Sequence, residues 1–181
     1  MKLIAGVDEV GRGCLAGPVI AAAVIFKNNI PGLKDSKKLS IKKRQELSLI
    51  IMENSYFSFG SASVKEIDKI NILQASLLAM KRAILNLSVK PVKILVDGVH
   101  KPDLDIDTQT IIKGDSYIDE ISAASIIAKV YRDNLMLQFD KKYPNFHFSS
   151  HNGYGTKLHK AAINKYGITP VHRKTFKGVI N

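Results

Sequence analysis

The adjacent acids Asp8 and Glu9 lie between an apolar opening, KLIAGV, and the turn Gly11–Arg12–Gly13. Neighbouring carboxylates raise each other's proton affinity, so such a pair is either solvated or offset by positive charge. Two more acids occupy similar positions. Asp97 ends the apolar run VKILVD ahead of Gly98, and Asp115 follows the run TQTIIKG. Each acid falls where an apolar strand runs out. In α/β sheets ligands collect beyond the carboxyl ends of strands, so strand ends lying side by side would bring four carboxylates together. Such a cluster is unstable alone but suits hard divalent cations with oxygen ligands, Mg²⁺ or Mn²⁺. Alternation along a strand sends neighbouring side chains to opposite faces. Asp8 and Glu9 therefore share a site only if the strand ends between them; otherwise Glu9 acts through its carbonyl or a water. Taken singly, each acid reads as a cap or turn residue, since Asp before Gly is common in turns; as a set they point to a metal site.

The elements that must position these acids follow from the hydrophobic pattern. Residues 2–8 read as a buried strand and Pro18 to Phe26 as a second, rich in β-branched residues. The stretch NNIPGLKDSKK is a loop by its Asn, Pro and Gly content. Ser40 starts a helix reaching Glu53, and YFSFGSASV is a third strand. Ser63 and Glu66 have capping-box spacing, so a short helix begins there; a longer one follows from Asn71. Residues 92–98 and 108–116 read as strands, and 118–139 as a long helix whose SAASIIA core permits close packing. The polar loop YPNFHFSSHNGYGT leads to a helix over 157–166 and a basic tail. Hairpin strands followed by alternating helices and strands give an α/β domain with a mixed sheet. The 181 residues form a single domain, with a helical C-terminal segment from about residue 140.

Composition narrows the class. The chain carries 27 Lys and Arg against 16 Asp and Glu, a formal charge of +11, and such a field attracts nucleic acid. No stretch approaches the roughly 20 apolar residues of a membrane span, and the early acids do not fit a signal peptide, so the expectation is a cytoplasmic protein without a membrane partner. The one cysteine, Cys14, excludes an internal disulfide and reads as an inert thiol. GRGCLA matches a dinucleotide fingerprint, but Pro18 and a β-branched run follow it where a helix must open. No P-loop or HExxH motif is present; His147 and His151 read as structural or substrate-side residues in a loop.

Seven motifs, GVDEVGRGCLAGPV, LKDSKKLS, ILVDG, KGDS, SAASIIAKVYRD, HNGYGT and HRKTF, resemble in order and spacing those of bacterial ribonuclease HII. The resemblance runs from residue 4 to about 178. It implies an RNase H-like mixed sheet flanked by helices and endonucleolytic cleavage of RNA in RNA–DNA hybrids. It also implies incision 5′ to ribonucleotides embedded in duplex DNA, leaving 5′-phosphate and 3′-hydroxyl ends. Carried over by motif, Asp8, Glu9, Asp97 and Asp115 are the catalytic, metal-binding acids, with Mn²⁺ or Mg²⁺ as cofactor. Asp103, Asp105 and Asp107 are expected to form a solvated turn. Gly11, Arg12 and Gly13 are expected to meet the 2′-hydroxyl and the ribo–deoxy junction, with Tyr154 stacked on the next sugar. Lys37, Lys38, His172, Arg173 and Lys174 are expected on the nucleic-acid side. A metal-dependent phosphatase would use the same acids without needing the basic surface. A non-catalytic binding module would explain the charge but not the acids. A monomer is expected.

Overall fold

The computed structural model describes residues 3–33 and 39–180. Strand β2 (Val19–Phe26) has the sequence VIAAAVIF and is buried on both faces. That burial requires a central place in a sheet covered on each side, and the topology supplies it. The strand order is β3-β2-β1-β4-β5, with β1 at Ile4–Val10, β3 at Ser55–Ala62, β4 at Lys93–Asp97 and β5 at Thr108–Ile111. β1, β2 and β3 pair antiparallel, while β1, β4 and β5 pair parallel. The sheet is thus mixed, as the element pattern predicts.

Alternating residues of β2 feed two cores. Val19, Ala21, Ala23 and Ile25 pack with helix α2 (Val64–Leu85). Ala22 and Val24 pack with helices α1 (Ile41–Glu53) and α3 (Asp119–Lys142). The alanines of α3, Ala123, Ala124 and Ala128, are fully buried and bring its axis close to the sheet. Gly6 allows the same approach on β1, since a Cβ there would lie 2.1 Å from the Glu120 carbonyl carbon. Overpacking of that kind cannot be relieved by a rotamer change.

The expected capping box is formed. The Ser63 side chain accepts from the Glu66 amide, and the Glu66 side chain accepts from the Ser63 amide. The helix starts expected at Ser63 and Asn71 are both present, joined by a kink at Asn71, whose φ is 66°. The Asn71 carboxamide oxygen accepts from the amides of Leu73 and Gln74 at 2.9 and 3.1 Å, which caps the second helix. One strand is shorter than its sequence suggests. β5 stops at Ile111, Lys113 adopts φ 57°, and Gly114–Ser116 form a 3₁₀ turn. The polar loop before residue 157 also contains a short helical turn, α4 (Phe148–His151), ahead of α5 (Lys157–Tyr166). A third core, with Leu15, Ala16, Met136, Phe146, Phe148 and Ile163, joins this region to the end of α3 and to the segment after β1.

Candidate active site

The parallel ladder between β1 and β4 ends at the pair Val7–Val96. Asp8 and Asp97 come next on the two strands, beyond the last pair. Val7 and Val96 face the α2 core, so alternation turns Asp8 and Asp97 toward α3. Ser125 of α3 meets the Asp8 carboxylate there. The two strands therefore present neighbouring acids to one face at the point where their backbones part.

Strand β1 does not end between Asp8 and Glu9. It continues to Val10, with Asp8 opposite Ala22 and Glu9 opposite Ala21. Glu9 nevertheless borders the same cleft as Asp8 and Asp97, and its Oε1 accepts from Arg12 Nη1 at 3.0 Å. Asp115 is 3% exposed in its 3₁₀ turn. Its amide donates to Asp97 Oδ1 at 3.4 Å, so the turn sets the fourth acid beside the third. Asp103, Asp105 and Asp107 are exposed, and Asp107 pairs with Lys93 at 3.8 Å. Burial pushes the Asp8 carboxyl well above its ordinary proton affinity, and the charges of Glu9 and Asp97 add to the rise. Asp8, Glu9 and Asp97 border the cleft; Asp115 is not part of its lining and reaches the group through Asp97. Among the described residues, no three His, Cys, Asp or Glu side chains converge closely enough to hold an ion as they stand.

The cleft encloses about 320 Å³, and its rim is formed by Gly11, Arg12, Gly13 and Tyr154. Gly11 has φ 95°, and a Cβ there would lie 2.2 Å from Arg132 Nε, so both conformation and space demand glycine. The loop is tied to Tyr154 by an isolated bridge between Cys14 and Tyr154 and by the Leu15 amide donating to the Gly153 carbonyl at 2.8 Å. Arg44, Ser125 and Lys129 also line the cleft. Lys129 pairs with Asp133 at 2.7 Å, and Arg44 approaches the same carboxylate at 4.0 Å. The sequence reading gives none of these three a role, although Ser125 and Lys129 lie within SAASIIAKVYRD. Ser125, Lys129 and Asp133 recur at intervals of four, which aligns them on one helix face; that was the available signal. Lys37 and Lys38 lie outside the described residues.

A model of the ribonuclease HII family matches residues 5–179. The chain belongs to the ribonuclease HII family. It is 58% identical over 180 residues to a ribonuclease HII of Coxiella burnetii, covering 98% of this chain and 89% of that one. It is 56% identical over 182 residues to the ribonuclease HII of Pelagibacter ubique, covering 99% and 98%. The ribonuclease HII of Archaeoglobus fulgidus, solved in complex with PCNA, superposes with a TM-score of 0.83 at 26% identity, covering 97% of this chain and 95% of that one. The mixed sheet with flanking helices is thus the ribonuclease HII fold.

Two residues of the chain stand elsewhere than the sequence suggests. His172 and Arg173 are expected on the nucleic-acid side, yet they are 1% and 0% exposed. Residue 172 pairs with Ala16 in an isolated antiparallel bridge, which draws both side chains beneath the loop. Lys174 is exposed; its amide and that of Thr175 donate to the Asp68 carboxylate, each at 3.1 Å.

His172 belongs to a buried histidine cluster with His159 and His151. The Thr169 amide donates to His172 Nδ1 at 2.9 Å, which leaves the proton on Nε2. That N–H donates to His159 Nε2 at 3.1 Å, and His159 Nδ1–H donates to the Tyr154 carbonyl at 2.9 Å. His151 stacks on His159 with centroids 4.5 Å apart. Every ring in this chain of bonds is neutral, and a second proton on either ring would set two donors against each other. Burial is the main cause lowering all three pKa values, that of His172 to about 4. A folded-state pKa below the unfolded value near 6.5 gives stability that is complete above 6.5 and lost as pH falls toward 4. Thermal melts across that window are expected to show a falling Tm. A His172→Leu variant is expected to melt lower at neutral pH but with a flatter pH dependence; an unchanged slope would contradict the neutral-pair assignment.

Proposed function

We propose that this chain is a divalent-metal-dependent endoribonuclease that cuts the RNA strand of RNA–DNA hybrids and incises 5′ to single ribonucleotides in duplex DNA. The observation that carries this reading is one cleft holding two kinds of equipment. Asp8 and Asp97 stand where the β1–β4 ladder opens, and the Gly11–Gly13 loop with Tyr154 forms the rim above them. The first suits ions; the second suits a sugar and its 2′-hydroxyl.

The donor set fits Mg²⁺ or Mn²⁺, since every candidate ligand is a carboxylate oxygen. Burial first, and the charges of Glu9 and Asp97 second, raise the proton affinity of Asp8, a cost that a divalent cation would relieve. Asp8, Glu9, Asp97 and Asp115 are the residues assigned to hold the metal. When bound, the metal supplies activation of the attacking water and stabilisation of the leaving 3′-oxygen, giving 5′-phosphate and 3′-hydroxyl ends. Ser125 and Arg12 steady the carboxylates of Asp8 and Glu9. Lys129 and Arg44 bring positive charge to the wall where the scissile strand's phosphates pass. Glycines at 11 and 13 let the backbone approach the ribose, where a 2′-hydroxyl separates RNA from DNA. Tyr154, 43% exposed, presents its ring for stacking on the following sugar. Exposed Lys174 adds to a field of +11, so binding should weaken by about 0.7–0.9 log units per neutralised phosphate for each tenfold rise in salt. Within this reading the protein acts as a monomer and as one catalytic domain, in the cytoplasm. Among the described residues no helix is long and apolar enough to cross a membrane.

The test is strand scission of a DNA duplex bearing one ribonucleotide, against an all-DNA control, in Mg²⁺, in Mn²⁺ and with chelator. Nicking 5′ to the ribonucleotide in either metal and none with chelator is the expected result. Binding without scission in both metals would leave a nucleic-acid-binding protein and end the nuclease reading.

A further inference from the structure

Arg173 is among the largest fully buried side chains, and its guanidinium bonds only to backbone carbonyls among the hydrogen bonds it donates. Nη2 donates to the Gly11 carbonyl, Nη1 to the Arg12 carbonyl at 2.8 Å and Nε to the Gly17 carbonyl at 2.9 Å. Its own backbone is fixed from both sides. The Arg173 amide donates to the Leu15 carbonyl at 2.9 Å, and the Gly17 amide donates to the Val171 carbonyl at 2.8 Å. The preceding residue, His172, bonds to His159 and through it to the Tyr154 carbonyl.

This arrangement has a stereochemical consequence. In a trans peptide the N–H points opposite to the C=O of the same unit. Arg173 draws the Gly11 and Arg12 carbonyls inward, so the amides of Arg12 and Gly13 are turned outward. Those two residues are exposed and line the cleft. Two adjacent donors therefore face the position where a ribose would lie, held by a guanidinium that never reaches the surface. We propose that Arg173 is a positioning residue for sugar discrimination: by anchoring the Gly11 and Arg12 carbonyls it aims the Arg12 and Gly13 amides at the 2′-oxygen of the substrate. A deoxyribose offers these amides no acceptor, and a desolvated donor without a partner disfavours the wrong substrate by more than a hydrogen bond favours the right one.

This inference rests on the nuclease reading above, and its test separates the two. The readout is binding preference, measured in an Asp97→Asn background so that no strand is cut. The ratio of affinities for a duplex with one ribonucleotide and for an all-DNA duplex is compared with and without Arg173→Met and Arg173→Lys. The expected result is a fall in that ratio of about tenfold for Met, the size of one hydrogen bond, with a smaller fall for Lys, which keeps charge and one donor direction. Affinity for all-DNA duplex should stay within about twofold. A ratio that survives both substitutions in folded protein overturns the proposal. With Arg173 intact, the Arg12 and Gly13 amide resonances should shift on adding the ribonucleotide duplex and not on adding the all-DNA duplex. Equal response to both duplexes also overturns it, even if neither variant folds. Failure of the nuclease reading looks different, since the chain without substitutions would then nick nothing in either metal.

Discussion

Asp8→Asn is expected to abolish strand scission while making the metal-free protein more resistant to heat. The two effects share one cause. Asp8 is 7% exposed and sits next to Glu9 and Asp97. Burial first, and those two charges second, raise its pKa above the ordinary 3.8. A carboxyl whose folded pKa lies above its unfolded value favours the fold only while protonated, and that contribution is lost as pH rises through the folded value. Ionising Asp8 therefore works against the fold. Asparagine keeps the shape and the contact with Ser125 but removes the charge, so melting in chelator should rise by a few degrees. At this chain length about 1 kcal/mol corresponds to roughly 2–4 °C. Activity should fall by on the order of 10³-fold, about 4 kcal/mol in transition-state stabilisation. Added Mg²⁺ or Mn²⁺ should raise the Tm of the unsubstituted protein and leave the variant unmoved, because only a ligand that binds the native state stabilises it. Kinetics of ribonucleotide incision, paired with melts in chelator and in metal, decide the matter. A variant that melts lower in chelator would show that Asp8 serves the fold rather than strains it.

The acids were legible because each follows an apolar run and precedes a turn, a local pattern that also dictates strand ends. Their convergence was not. It depends on β1 and β4 being parallel neighbours with Val7 opposite Val96, and pairing register is a non-local property. The same limit explains Glu9. The sequence leaves open whether it can share a cleft with Asp8. The strand continues to Val10, which by alternation alone would turn Glu9 away from Asp8. It is Arg12, three residues on, that bonds its carboxylate at the cleft's edge. Asp115 was legible as an acid but not as part of a turn, because TQTIIKGDS has strand composition up to Gly114. The left-handed conformation of Lys113 carries no signature in a residue type that seldom adopts it.

His172 and Arg173 are buried where the sequence suggests a surface position, and the reason is physical. Lysine and arginine default to the surface because an unpaired charge is costly to bury. Arg173 escapes that rule through three carbonyls rather than a carboxylate, and its pKa, lowered mainly by burial to about 10, records the cost of that choice. Carbonyls from a loop more than 150 residues away leave no mark on the sequence near Arg173. The histidines teach the same lesson. His151, His159 and His172 are separated along the chain, and His172 joins the other two where Leu15 to Gly17 pairs with the segment ending at Arg173.

Arg132→Met is expected to be the most destabilising single change in the chain, by about 4 kcal/mol. Arg132 is fully buried on α3. Its Nε donates to the Pro18 carbonyl at 3.2 Å, Nη1 to the Asn152 carbonyl at 2.8 Å and Nη2 to the Ala16 carbonyl at 3.0 Å. One guanidinium thus joins α3 to the segment leaving the Gly11–Gly13 loop and to the turn before Tyr154. Methionine fills similar volume but strands three acceptors, each costing about 1–3 kcal/mol when buried without a partner. Part of that sum is recovered because the charge no longer needs burying, which brings the expectation to about 4 kcal/mol, or roughly 8–16 °C in Tm. Lysine retains the charge and reaches fewer carbonyls, so Arg132→Lys should lie between. Gly11 cannot relax to compensate, because its φ of 95° belongs to the loop itself. Urea titration of the two variants against the unsubstituted protein measures the loss directly. A loss below about 1 kcal/mol for Met would mean that water enters and satisfies the three carbonyls. Loop and Tyr154 would then keep their places without the guanidinium, and the rigidity of the cleft rim would have to come from Arg173 and the histidine pair alone.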